Sequence, residues 1–128
     1  MKILWNGVDI IENRRIKKSI INKKFITRIY SKSEINESKK VKNKDSFFAK
    51  RFAAKEAFVK AIGTGFRNGI NFNDISVKSI KLGKPKIYLT KKIKKIIKNK
   101  FRLNNFKIFL SISDEKKHSI AYVVISKY

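Results

Sequence analysis

The sequence predicts an α+β fold, an antiparallel sheet packed with helices. Three observations carry that expectation. Both ends of the chain are strand-like: residues 3–11 are apolar and β-branched, and residues 106–126 alternate apolar with polar side chains. Between them lie stripes of apolar residues at helical spacing, the longest of which stops at Gly63-Thr64-Gly65. Finally, only a short charged turn, residues 114–117, separates the last two strands, so they form an antiparallel hairpin. Antiparallel strands with separate helices point to α+β rather than to a parallel α/β sheet.

Length and composition bound the rest. A chain of 128 residues is expected to form one domain, spanning 1–128. Hydrophobic residues make up 42%, with ten Phe and four Tyr, enough for a real core. Lys and Arg number 33 against 9 acids, a formal net charge of +24, so an anionic partner is expected. Lys, Ile and Asn also share AT-rich codons. Part of the lysine excess is therefore compositional, and scattered lysines read as a solvated face. There is no Cys, which excludes disulfides and thiolate chemistry, and the single His118 cannot build a multi-His metal site. No apolar run approaches a membrane span, and the first residues are too short for a signal-peptide core. A cytoplasmic protein is expected, without membrane as a partner.

Taken in order, residues 3–11 read as a strand broken at Asn6-Gly7, where Gly7 permits a bend or a close backbone approach. Asp9 lies among Val8, Ile10 and Ile11; from the strand alone it is taken as an outward-facing residue, because burying an unpaired carboxylate is costly. Residues 12–22 turn helical, with Ile16 and Ile20 on one face, and Phe25 and Ile29 continue the stripe. Opposite it lie Arg14, Lys17, Lys18, Lys24 and Arg28, either solvated surface or a docking face for an acidic partner. Ser31 and Glu34 match a capping box, so a short helix starts there. Asp45 or Ser46 is expected to cap the long helix, which runs to about Ile62. Residues 63–71 form a Gly- and Asn-rich loop, 74–82 a strand, Gly83-Lys84-Pro85 a turn and 86–89 a second strand. Thr90 caps a helix with Ile93, Ile96, Ile97 and Phe101 on one stripe. The terminal hairpin closes the chain.

Known phosphate loops, dinucleotide fingerprints and Ser-His-Asp sets are missing from the sequence. Carboxylates and many cations remain, a combination that suits a hard divalent metal and phosphate. On the long helix Glu56 and Lys60 are one turn apart and share a face. They form either an ordinary ion pair or, with Asp9, part of a metal and phosphate site.

Two signatures add to this reading. Gly7-Val8-Asp9-Ile10, followed by Arg15, is similar to the first signature of the holo-acyl-carrier-protein synthases, the small 4′-phosphopantetheinyl transferases. Phe52-Ala53-Ala54-Lys55-Glu56-Ala57, continuing through Lys60-Ala61-Ile62-Gly63-Thr64-Gly65, resembles the second. Gly83-Lys84-Pro85 and Leu110-Ser111-Ile112-Ser113-Asp114 resemble the family as well, and the likeness spans nearly the whole chain in the family's order. It implies transfer of the phosphopantetheine arm of coenzyme A to a serine of apo-acyl carrier protein, for fatty acid biosynthesis. It also implies Asp9 and Glu56 as Mg²⁺ ligands and Lys60 as a catalytic phosphate contact. Gly63, Gly65, Lys84, Pro85 and Ser111 are implied around the cofactor, and the family is typically a homotrimer with sites between subunits. Many members carry His where Asp114 stands, and His118 is displaced from that position. Arg14, Arg15, Lys17, Lys18, Lys24 and Arg28 are implied as the dock for the acidic carrier. The alternative is a small basic nucleic-acid-binding module, supported by charge and aromatics but by no recognised binding motif; nucleic acid is not the expected partner.

Overall fold

A computed structural model describes residues 1–67 and 69–128. Strand β1 (Lys2–Glu12) leads into three short helices, α1 (Asn13–Ser19), α2 (Lys23–Ile29) and α3 (Lys32–Ser38), and then into the long α4 (Lys44–Ile62). Next come β2 (Ile75–Ser79), β3 (Pro85–Leu89), α5 (Lys91–Phe101), β4 (Phe106–Asp114) and β5 (His118–Lys127). The expected α+β architecture is found. One antiparallel sheet has the order β1-β5-β4, and β2 and β3 form a separate antiparallel ribbon.

Helix α4 lies on the inner face of β1 and β5, and Gly7 explains how closely. A Cβ at Gly7 would collide with the Ala57 carbonyl oxygen and lie 2.7 Å from Ala61 N. Those are backbone atoms and cannot swing aside. Ala53, Ala54 and Ala57 are fully buried, so small side chains on the helix meet a glycine on the strand. Gly7 is thus a point of close approach and not a bend; β1 runs unbroken through it, and its register irregularity falls between Ile3 and Trp5. Phe58, Ile75, Ile93 and Val123 are among the side chains that complete the core.

Several boundaries differ from the sequence expectation. Within residues 12–22 one helix forms, but it ends at Ser19 rather than near Asn22. The chain leaves α1 after Ser19, and Asn22 caps α2 by accepting a hydrogen bond from Lys24 N at 2.9 Å. Asn43, not Asp45 or Ser46, caps α4: its Oδ1 accepts from Ser46 N at 3.1 Å. The capping box at Ser31 and Glu34 is present on both sides, and Thr90 caps α5. At the other end of α4, Gly63 takes φ 75°, a left-handed conformation that costs other residues about 1 kcal/mol, and its N–H bonds to Val59 O. Strand β2 stops at Ser79, because the chain reverses between Ile80 and Lys84 (Ile80 N to Lys84 O, 2.8 Å). Pro85 belongs to β3, paired with Ser79, and occupies a strand's first position, where proline is tolerated. Of the loop expected over 63–71, Asn68 lies outside the described residues.

Candidate active site

Side chains alternate along β1. Gly7, Asp9 and Ile11 turn toward α4, and Val8 and Ile10 turn away. Asp9 therefore faces inward, contrary to the expectation from the strand alone, and it is not unpaired. The Lys60 ammonium donates to Asp9 Oδ1 at 2.8 Å and to the Val8 carbonyl at 3.3 Å. Of the two alternatives for Glu56 and Lys60, the direct ion pair is not formed; Lys60 reaches across to the strand instead. Its side chain is 54% exposed and that of Asp9 14%. A pair this open adds at most about 1 kcal/mol to stability, so its interest is chemical.

Glu56 is half-buried on the same side of α4. Burial pushes its carboxyl above the ordinary glutamate range, the Asp9 charge pushes it further, and Lys60 opposes both. The hydrogen bond to Asp9 is the largest cause holding Lys60 above its ordinary value; desolvation opposes it, and the Asp9 and Glu56 charges add to the rise. Two carboxylates thus sit near one another with a single ammonium between strand and helix. Among the described residues no group of three or more His, Cys, Asp or Glu side chains gathers anywhere. Two carboxylates without a third protein ligand fit a hard cation such as Mg²⁺, which keeps several positions for water and phosphate oxygens. Burial is the first cause of the rise in Glu56, and the repulsion from Asp9 that adds to it is what a bound cation would relieve.

The remaining expected residues are not all brought to this centre. Gly63 and Gly65 follow directly from the end of α4 and have nothing within 4 Å of the Cβ position, so the backbone there is open to approach. Lys84, Pro85 and Ser111 line a different groove of about 430 Å³, together with Phe109 and Tyr122. Ser111, Tyr122 and Val8 stand in one row across the sheet, on the face opposite α4. Within one chain they look away from Asp9. Arg14, Lys17 and Lys18 line a groove of about 640 Å³ with Asp45, Ser46 and Asp114. There Asp114 accepts a hydrogen bond from Ser46 Oγ at 2.8 Å. Arg15, Lys24 and Arg28 are exposed on α1 and α2. His118 is the first residue of β5, its Nδ1 2.9 Å from Glu115 Oε1.

Sequence reasoning missed the buried polar residues. Lys55, Glu34 and Arg51 are almost wholly removed from solvent, and only their spacing on an alanine-rich helix hinted at it for the two cations.

A model of the 4′-phosphopantetheinyl transferase superfamily matches residues 6–123. A holo-[acyl-carrier-protein] synthase of Pelagibacter ubique (strain HTCC1062) is 61% identical over 127 residues, 99% of each chain. The chain belongs to the holo-[acyl-carrier-protein] synthase family. Solved structures of that family agree. A synthase from Bacillus anthracis str. Ames, in complex with CoA (3′,5′-ADP), shares 35% identity and a TM-score of 0.82, each chain covered in full. The Neisseria meningitidis synthase shares 36% identity and a TM-score of 0.85, with 98% and 99% of the chains covered. These matches give no support to the alternative of a small nucleic-acid-binding module. No helix among the described residues is long and apolar enough to cross a membrane.

Proposed function

We propose that this holo-[acyl-carrier-protein] synthase transfers the 4′-phosphopantetheine arm of coenzyme A to apo-acyl carrier protein at a centre made of Asp9, Glu56 and Lys60. The observation that carries the assignment of the centre is their convergence: Asp9 turned inward on β1, with Glu56 beside it and Lys60 bonded to it from α4. The carrier's serine oxygen attacks the β-phosphorus of the pyrophosphate. A new P–O bond forms, the bond to adenosine 3′,5′-bisphosphate breaks, and the serine proton is released. Asp9 and Glu56 would hold Mg²⁺, which supplies positive charge against the pyrophosphate. Lys60 offers a partly free ammonium to a phosphoryl oxygen, and the open backbone at Gly63 and Gly65 admits the cofactor.

Lys84 and Pro85, from the β2–β3 ribbon, line a groove with Ser111 of the sheet's outward face, so their contribution to coenzyme A is proposed to come from a neighbouring copy in a homotrimer. Val8, Ile10, Phe109, Ile120 and Tyr122 give that same face an exposed apolar surface that favours association. Arg14, Arg15, Lys17, Lys18, Lys24 and Arg28 form the dock for the acidic carrier, where opposite charge speeds encounter and selects the partner. Residues 1–128 act as one transferase domain in the cytoplasm, in fatty acid biosynthesis.

The test is direct. The protein, coenzyme A, Mg²⁺ and apo-acyl carrier protein are mixed and the carrier is weighed by mass spectrometry. A phosphopantetheine adduct is expected, lost with EDTA and restored by excess Mg²⁺. An unmodified carrier would overturn the proposal.

A further inference from the structure

Lys55, one residue before Glu56, is fully buried and plays no part in the centre just described. Its ammonium has four acceptors: the Ile29 carbonyl at 2.8 Å, Glu34 Oε1 at 2.6 Å, the Phe72 carbonyl at 3.0 Å and the Ile75 carbonyl at 2.6 Å. These come from the last residue of α2, from α3, from the single turn at Phe72–Asp74 and from the start of β2. Glu34 extends the tie. Its Oε1 also accepts from Ser31 N at 2.9 Å, and its Oε2 from Val77 N at 2.9 Å.

The geometry separates two jobs on α4. On one side the helix is fixed to β1 by the close approach at Gly7, which keeps Glu56 and Lys60 beside Asp9. On another side a single cation gathers the C-terminal carbonyl of α2 and the capping carboxylate of α3. Helices α2 and α3 have seven residues each, too short to hold their place without tertiary contacts. A positive charge at the C-terminus of α2 also complements the partial charge of its free carbonyls. Helix α2 carries Lys24 and Arg28 on its exposed face.

We propose that Lys55 is a positioning residue for the carrier: with Glu34 it fastens the docking helix α2 to the catalytic helix α4, so that a carrier seated on Lys24 and Arg28 presents its serine to Asp9 and Glu56. The inference rests on the function proposed above. It makes Lys55 act mainly on the carrier side, since the contact that keeps Glu56 and Lys60 beside Asp9 is the close approach at Gly7.

The double variant Lys55→Met with Glu34→Gln removes both members of the buried pair together, so neither is left facing the loss of the other. Its KM for apo-acyl carrier protein is expected to rise about tenfold, while kcat and the KM for coenzyme A stay within about twofold of wild type. A merely structural role lowers the active fraction, which reduces kcat and leaves both KM values alone; that result overturns the proposal, as does an equal rise in both KM values. Hydrogen exchange on the unmodified protein supplies an arm that needs neither the variant nor activity. If Lys55 fastens the layer, the amides of Tyr30 and Val77 exchange with that of Phe58 within about tenfold, in one opening event. Faster exchange at both overturns the tie, whether or not the variant folds. Failure of the wild-type protein to modify the carrier would sink the proposed function instead and leave the exchange result to decide the tie.

Discussion

Glu56 is held in a setting that disfavours its own charge. Burial and Asp9 both raise its carboxyl, and Lys60 only partly compensates. The carboxyl is harder to ionise in the folded chain than in the unfolded one. As pH climbs from the ordinary glutamate value through the raised one, the unfolded state gives up this proton first, and the folded state loses stability over that window. Glu56→Gln removes the penalty. The variant is expected to melt higher than wild type at neutral pH, with the difference closing as pH falls to where Glu56 is protonated; calorimetry across that range checks it. The same variant is expected to lose transfer by about a hundredfold or more, the usual cost of removing one preorganised electrostatic group from a reaction centre. A variant more stable and far less active marks a side chain kept for chemistry. Retention of a near-normal rate would remove Glu56 from the site.

Between strand and helix the decisive feature is a missing atom. Gly7→Ala would force a methyl group into the Ala57 carbonyl and against Ala61 N, and β1 and α4 would have to part. Overpacking of this kind costs about 1–3 kcal/mol or more, and here it also draws Asp9 away from Lys60. Denaturant unfolding and the transfer assay should therefore fall together for this variant. At the N-terminus of α4, Asn43→Ala is expected to cost about 1 kcal/mol, since Asn43 Oδ1 caps Ser46 N. Asp45→Ala is expected to cost about half that, because Asp45 contributes only its charge near the helix start. The contrast shows what was legible in the sequence. Periodicity located every long element, and the capping box at Ser31 and the cap at Thr90 were read correctly. The cap of α4 was misplaced because Asn43, Asp45 and Ser46 are all competent cap residues, and only geometry chooses among them. The end of α1 was placed a few residues late for a similar reason: Ile16, Ile20, Phe25 and Ile29 keep one apolar stripe across it. Asp9 was read the wrong way round from its strand because its partner, Lys60, lies 51 positions along the chain. Lys55 escaped notice because one buried lysine among so many looks like surface.

For the whole molecule, a single chain leaves its expected cofactor residues on two faces of one sheet. Asp9, Glu56 and Lys60 lie on the α4 side, whereas Lys84, Pro85 and Ser111 line a groove on the other. That outer face carries Val8, Ile10, Phe109, Ile120 and Tyr122, all more than a third exposed, beside the groove. A symmetric assembly through this surface would cover the apolar residues and set the groove of one copy against the centre of the next. The arrangement has a consequence that no single-chain site shares. Under the proposed sharing, Glu56→Gln would disable the centre, and Lys84→Glu, which reverses a charge in the groove, would disable the other half. Each variant alone is expected to be inactive. Unfolded together and refolded as mixed assemblies, they are expected to regain part of the wild-type rate, because some sites then combine an intact centre from one copy with an intact groove from another. Sedimentation of the mixture checks that assemblies form, and mass spectrometry of the carrier reads the recovered transfer. If both variants assemble and the mixture stays as inactive as its components, each chain works alone and the groove is not shared.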